Sequence, residues 1–88
     1  MVNPYEDELE GDCKIRTFSE DVSEDELIWH RDRNDREITV VEGAGWQLQM
    51  DNKLPEDLQK GKLYNINKME FHRLIKGEGT LKIKIWED

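Results

Sequence analysis

The feature that most constrains the fold is the period-two recurrence of apolar residues in short runs. In residues 80–86, Leu81, Ile83 and Ile85 fall on one face of an extended chain, and two lysines fall on the other. Residues 46–50 repeat the pattern, with Trp, Leu and Met on one face and two glutamines on the other. Both runs are typical of strands that bury one face.

Five other short runs have strand character, and turn residues separate them. The seven predicted strands are residues 14–18, 27–31, 37–42, 46–50, 63–66, 71–75 and 80–86. Residues 19–26 are predicted to form an acidic loop, and residues 55–60 a loop or a single 3₁₀ turn, because Gly61 ends any helix there. Strands at this spacing predict an all-β antiparallel sandwich or barrel.

The charge is concentrated at the N-terminus. The chain of 88 residues has a net charge of −8, and residues 1–26 hold ten acids and two bases, which account for all of it. Residues 1–12 have few aliphatic side chains and many like charges, so we expect them to be mobile. Residues 13–88 are then predicted to form one domain, since the chain is too short for two cores.

Composition also excludes several classes of function. A protein that binds nucleic acid needs clustered Lys and Arg, which this acidic chain lacks. No apolar run approaches the roughly 18 residues of a membrane span. Cys13 is the only cysteine, so no internal disulfide can form. We therefore expect a cytoplasmic protein that binds neither nucleic acid nor membrane.

Both histidines lie in predicted strands, close to acidic residues. His30 shares a strand face with Asp32, Glu37 opens the next strand, and His72 lies in the strand at 71–75. If these faces meet inside a barrel, two imidazoles and two carboxylates form a ligand set for iron, manganese, nickel or zinc. The alternative is that the histidines are core residues satisfied by hydrogen bonds to the carboxylates.

The spacing of these residues resembles the first motif of the cupin superfamily, a group of small double-stranded β-helix barrels. That motif runs His-x-His, three or four residues, Glu, six residues, Gly. Here His30-x-Asp32 is followed by four residues and Glu37, and the glycine position falls between Gly43 and Gly45. Asp32 stands where the family has its second histidine.

The second cupin motif runs Gly, five residues, Pro-x-Gly, two residues, His. Gly61 and His72 have the same separation, while Asn67 and Met69 replace the proline and glycine. The resemblance covers residues 27–86. It implies a jelly-roll barrel, and it implies that His30, Asp32, Glu37 and His72 hold one divalent transition metal, although some cupins have no metal.

Three functions follow from these observations, and whether the protein is an enzyme stays open. The first is a metal-dependent cupin that acts on a small organic molecule. The second is a metal-free barrel whose ligand lies between Trp46, Leu48 and Met50, with Arg73 at the mouth. The third is an interaction protein that binds a basic partner through its acidic N-terminal segment.

Two further observations bear on partners and chemistry. Leu27 and Trp29 would lie on the face opposite His30 and form an exposed apolar patch, which predicts a homodimer. His30-x-Asp32 with a distant His72 also looks like the His-x-Asp…His triad of iron oxygenases, although this chain lacks the extra elements of those enzymes.

Overall fold

The computed structural model describes residues 4–88, and those residues form eight strands and one short 3₁₀ turn. The strands are β1 (Glu6–Glu10), β2 (Cys13–Phe18), β3 (Arg36–Ala44), β4 (Gln47–Met50), β5 (Glu56–Asp57), β6 (Leu63–Ile66), β7 (His72–Ile75) and β8 (Glu78–Glu87). The 3₁₀ turn is Glu24–Glu26, and Ser23 caps it. No helix in this part of the chain is long and apolar enough to cross a membrane.

The strands form two antiparallel sheets. The larger sheet has the order β1-β2-β8-β3-β6, and the smaller has the order β5-β4-β7. The predicted alternation is confirmed, because Leu81, Ile83 and Ile85 of β8 are buried, as are Leu48 and Met50 of β4. Burying these apolar faces between the sheets removes them from water and supplies the main driving force for folding. The all-β class is therefore as predicted.

The segment at 27–31 corrects one predicted strand. It pairs with β7 through a single antiparallel bridge, in which the amides of His30 and His72 each donate to the other's carbonyl at 3.0 and 2.9 Å. The run does not continue as a strand because the chain turns after His30, and the carbonyl of Asp32 accepts from the amide of Met69 at 2.7 Å. The bridge is nevertheless enough to place His30 opposite His72.

The N-terminal segment has a place in the larger sheet that the sequence did not predict. All five side chains of β1 are exposed, so no buried face marks it as a strand. Its backbone pairs with β2 along its whole length, and Asp7 accepts two hydrogen bonds from Arg16 at 2.8 and 3.0 Å. Residues 1–3 lie outside the described residues, and the mobility of the segment stays a prediction.

The region predicted as a loop or 3₁₀ turn at 55–60 contains a two-residue strand instead. Glu56 and Asp57 of β5 pair with β4, and Gln47 donates a side-chain hydrogen bond to Asp57 at 3.0 Å. This short edge strand extends the smaller sheet on the side away from His72.

Gly77 allows the chain to pass close to the start of β4. A Cβ atom at Gly77 would collide with backbone atoms of Ala44, Gly45 and Trp46. We expect Gly77→Ala to lower the free energy of unfolding by about 2 kcal/mol, because backbone on the opposite side cannot rotate away as a side chain would. Urea denaturation followed by tryptophan fluorescence measures the change.

Gly61→Ala is the control for this prediction. Gly61 has a positive φ of +82° but open space around its Cβ position, so alanine there adds only backbone strain of about 1 kcal/mol. If Gly77→Ala were no more destabilising than Gly61→Ala, the close approach of the backbone would be contradicted.

Met69 occupies a backbone conformation that favours glycine. Its φ is +64°, at the position where the second cupin motif has glycine, and its side chain is half exposed. We expect Met69→Gly to raise the free energy of unfolding by about 1 kcal/mol, since it removes the left-handed strain and little burial. Asn52, with φ +59°, is the control, because asparagine tolerates this region and Asn52→Gly should gain less. A Met69→Gly protein less stable than wild type would contradict the strain.

Candidate metal centre

His72 is the buried member of the candidate site. It begins β7, its backbone pairs with Met50 of β4, and only 3% of its surface is exposed. Its Nδ1 lies 2.8 Å from the carbonyl oxygen of Glu70. Burial lowers the pKa of His72, because desolvation penalises the charged imidazolium. The neutral ring is therefore the favoured form.

His30 faces His72 across the backbone bridge. The two rings meet edge to face with centroids 4.4 Å apart, and the side chain of His30 is the more exposed of the two. Its Nδ1 lies 2.9 Å from the carbonyl oxygen of Ile28. The contact repeats the arrangement at His72, since each ring bonds the carbonyl two residues before it.

These carbonyl contacts determine which nitrogen of each ring carries the hydrogen. A carbonyl oxygen can only accept, so Nδ1 of both His30 and His72 must be the donor. In the neutral rings Nε2 then has a lone pair, and in both residues Nε2 is the atom nearest Asp32. Histidine ligands of metal ions typically have this arrangement, with the second nitrogen held by a backbone carbonyl.

Asp32 completes the group. Its Oδ1 lies 3.9 Å from Nε2 of His30, and its Oδ2 lies 3.2 Å from Nε2 of His72. All three residues offer ligand atoms within 4.8 Å of one another. Oδ2 is buried and has no hydrogen-bond partner, although Nη1 of Arg36 lies 3.2 Å away at an unsuitable angle.

Glu37, predicted as the fourth ligand, is not brought to this group. Strand alternation explains the difference: Ile38 of β3 is buried, so its neighbour Glu37 points to the outer face and is exposed. Glu37 instead lines a separate surface depression with Asn65 and Trp86.

A cavity of about 340 Å³ opens beside the three residues. Its aliphatic walls come from five strands of both sheets and consist of Ile38, Leu48, Ile66, Leu74, Ile83 and Ile85. Tyr5, Leu27 and Ile28 lie among the lining residues outside those strands. A volume near 300 Å³ is at the lower end for small-molecule pockets.

Of the four predicted ligand-binding residues, only Leu48 lines this cavity. Trp46 and Met50 share the buried face of Leu48, as predicted, and belong to the core, but neither lines the cavity. Arg73 lies beside the buried His72 on the other face of β7, where its guanidinium stacks over Trp29 at 4.8 Å and donates to Gln49.

Two arginines of the cavity lining, Arg16 and Arg36, are outside the set of site residues predicted from the sequence. Arg16 shares the inward face of β2 with Phe18, a spacing that could have identified it. Its guanidinium lies 3.7 Å from the Tyr5 ring centroid and bonds Asp7. Arg36 lies in a run of alternating charge whose pattern gave no sign of burial.

Arg36 links the candidate site to the C-terminal strand. Its Nε lies 3.4 Å from Glu87, and Glu87 also accepts from Lys14 at 3.3 Å. The basic groups lower the pKa of Glu87 against the opposing effect of burial. The positive charge of Arg36 is thus shared between Glu87 and Asp32.

Comparison with known proteins identifies the fold. No family model matches the chain, and no curated protein matches it. Among solved structures, a protein from Neisseria meningitidis has a TM-score of 0.63 and 16% identity, covering 94% of this chain and 80% of that chain. A candidate mannose-6-phosphate isomerase from Ralstonia eutropha JMP134 has a TM-score of 0.65 and 15% identity, covering 94% and 81%.

A third similar structure has a cupin domain. The cupin-2 domain containing protein from Shewanella frigidimarina NCIMB 400 has a TM-score of 0.62 and 25% identity, covering 89% of this chain and 72% of that chain. The chain is therefore a small β-barrel with the cupin-like jelly-roll fold.

Proposed function

We propose that this protein binds one divalent transition metal ion through Nε2 of His30, Nε2 of His72 and the carboxylate of Asp32. The observation that carries the proposal is that a lone pair on Nε2 of His72 faces a lone pair on the carboxylate of Asp32. Nε2 of neutral His72 and Oδ2 of Asp32 are both acceptors, and they lie 3.2 Å apart in a buried place. Two acceptors at that distance repel each other, and a cation between them reverses the sign of the interaction.

The residues fit such an ion in number and kind. Two imidazoles and one carboxylate suit iron, manganese, nickel or zinc, and three protein ligands leave a coordination position for another molecule. The carbonyls of Ile28 and Glu70 hold the rings in the required tautomer before any metal binds. When bound, the ion would act as a Lewis acid toward an oxygen atom of a small molecule.

The residues around the group have separate tasks in this proposal. The amide of Met69 anchors the backbone of Asp32, and Arg36 lies against its carboxylate. The aliphatic walls exclude water from a molecule beside the ion, which strengthens electrostatic interactions there. A small-molecule function of this kind is consistent with the isomerase named among the structural neighbours.

A second candidate is a metal-free binding or interaction barrel. The contact of Arg36 with Asp32 supports it, because a guanidinium can compensate the carboxylate without a metal. In that case the barrel serves as a dimeric platform and the acidic N-terminal segment binds a basic partner. The exposed Trp29, Ile28 and Phe71 support a homodimer, since apolar surface of this kind is often covered by a second subunit.

We also propose a cytoplasmic location for the protein. The support is its single cysteine, which forms no disulfide.

Metal retention tests the first proposal. Tag-free protein is incubated with iron(II), manganese, nickel or zinc salts, desalted and analysed by mass spectrometry of the elements. We expect about one ion per chain for the preferred metal. His30→Ala and Asp32→Asn should weaken binding by more than roughly 100-fold, because loss of a second-shell partner alone costs roughly 10- to 100-fold. His30 is the safer histidine to replace, since its side chain is largely exposed.

Glu37→Gln is the matched control, because Glu37 belongs to the predicted ligand set but lies on the outer face. It should retain metal as the wild type does. Metal loss from Glu37→Gln as complete as from Asp32→Asn would contradict the three-residue set. No retention of any metal by the wild-type protein would overturn the proposal and favour the metal-free barrel.

A further inference from the structure

The cavity beside the three candidate ligands has walls that suit only one kind of small molecule. Nine of its seventeen lining residues are leucine, isoleucine or phenylalanine, and seven of these nine come from strands of the two sheets. Such walls offer no hydrogen-bond partners, so each hydroxyl placed against them would lose its bonds to water without replacement. A sugar with several hydroxyls is therefore disfavoured, and a ligand with an apolar body is favoured.

The arginines and the glutamate of the lining already have partners within the protein. Arg16 donates from two nitrogens to Asp7, and its guanidinium is stacked on Tyr5. Arg36 lies between Asp32 and Glu87. Glu26 is at the exposed 3₁₀ turn, where it accepts from the amide of Ser23. The positive charge of each lining arginine is therefore already compensated by a carboxylate, although Nε of Arg36 has no hydrogen-bond partner.

The charge of the site selects a monoanion. A divalent ion held by Asp32 and two neutral histidines has a net charge of +1, and each lining arginine already has a carboxylate beside it. One carboxylate on the ligand therefore neutralises the centre. A phosphate dianion would bring an additional charge into apolar surroundings, which is costly.

We propose that the ligand is a small monocarboxylic acid with an aliphatic or aromatic body. This inference rests on the proposed metal function. The carboxylate takes the position next to the metal and the body lies against the walls formed by Leu48, Leu74 and Ile83. A cavity of about 340 Å³ limits the body to a short chain or a single ring. The proposal separates this protein from its neighbour described as acting on a sugar phosphate.

The test uses calorimetry to measure the binding of four probes to protein loaded with the metal that it retains most tightly among iron(II), manganese, nickel and zinc. Hexanoate has the expected chemistry, acetate keeps only the carboxylate, 1-hexanol keeps only the body, and mannose 6-phosphate is the sugar phosphate. Each fully buried methylene strengthens binding by about fourfold, so two of them exceed tenfold. We expect hexanoate to bind at least about tenfold more tightly than each of the other three probes.

Substitutions at the cavity show where the chain of the ligand lies. Ile28 is 65% exposed and lines the cavity, so Ile28→Ser should fold, and Leu74→Ala removes a partly buried wall residue. Both should lower the preference for hexanoate over acetate by about threefold or more, with acetate binding unchanged. Leu54→Ser is the matched control, since Leu54 is 88% exposed and lies outside the cavity lining. It should leave all four affinities unchanged.

The outcomes distinguish this inference from the proposed function. Protein that retains none of iron, manganese, nickel and zinc refutes the metal site itself. Protein that retains a metal but binds acetate as tightly as hexanoate, or mannose 6-phosphate more tightly, overturns the assignment of the ligand class and leaves the metal site intact. A loss of hexanoate preference in Leu54→Ser equal to that in Ile28→Ser would also overturn it.

Discussion

The candidate site depends on one short backbone interaction, the pair of hydrogen bonds between His30 and His72. The amide of each residue donates to the carbonyl of the other, and this brings two imidazoles together that are forty-two positions apart in the sequence. The amide of Met69 also donates a hydrogen bond to the carbonyl of Asp32, which keeps Asp32 close to the segment that leads into His72. Without these three bonds the ligand atoms would have no reason to lie within 4.8 Å of one another.

The barrel makes such a precise arrangement possible because its core leaves little freedom. Leu48 of one sheet and Ile83 of the other are both buried, and both also reach the cavity beside the histidines. Close-packed interiors transmit displacements instead of absorbing them, and the pairing of β7 with β4 ties its position to the packed core. The same side chains therefore hold the sheets together and shape the space for a ligand.

Much of the fold was predictable from the sequence because alternation reports burial directly. The buried faces of β4 and β8 and the buried position of His72 follow from a period of two, whereas His30 lies outside the strands and is placed by a single bridge. Strand β1 was not predictable, because its five side chains are all exposed and its pairing is made by the backbone and by Arg16. Glu37 was assigned to the site because it opens the strand after His30 and also matches a motif position, whereas its buried neighbour Ile38 places it on the outer face.

Asp32 stands where the cupin motif has a histidine, and this difference changes the net charge of the candidate metal centre. A third neutral imidazole would leave a divalent ion with two positive charges, whereas the aspartate reduces the charge of the centre to one. Arg36 contacts that carboxylate, and Glu87 in turn balances Arg36, so the added negative charge is supported by residues of β3 and β8. The substitution at one ligand position and the apolar walls of the cavity thus favour the same ligand, with a single negative charge and a body that water does not need to solvate.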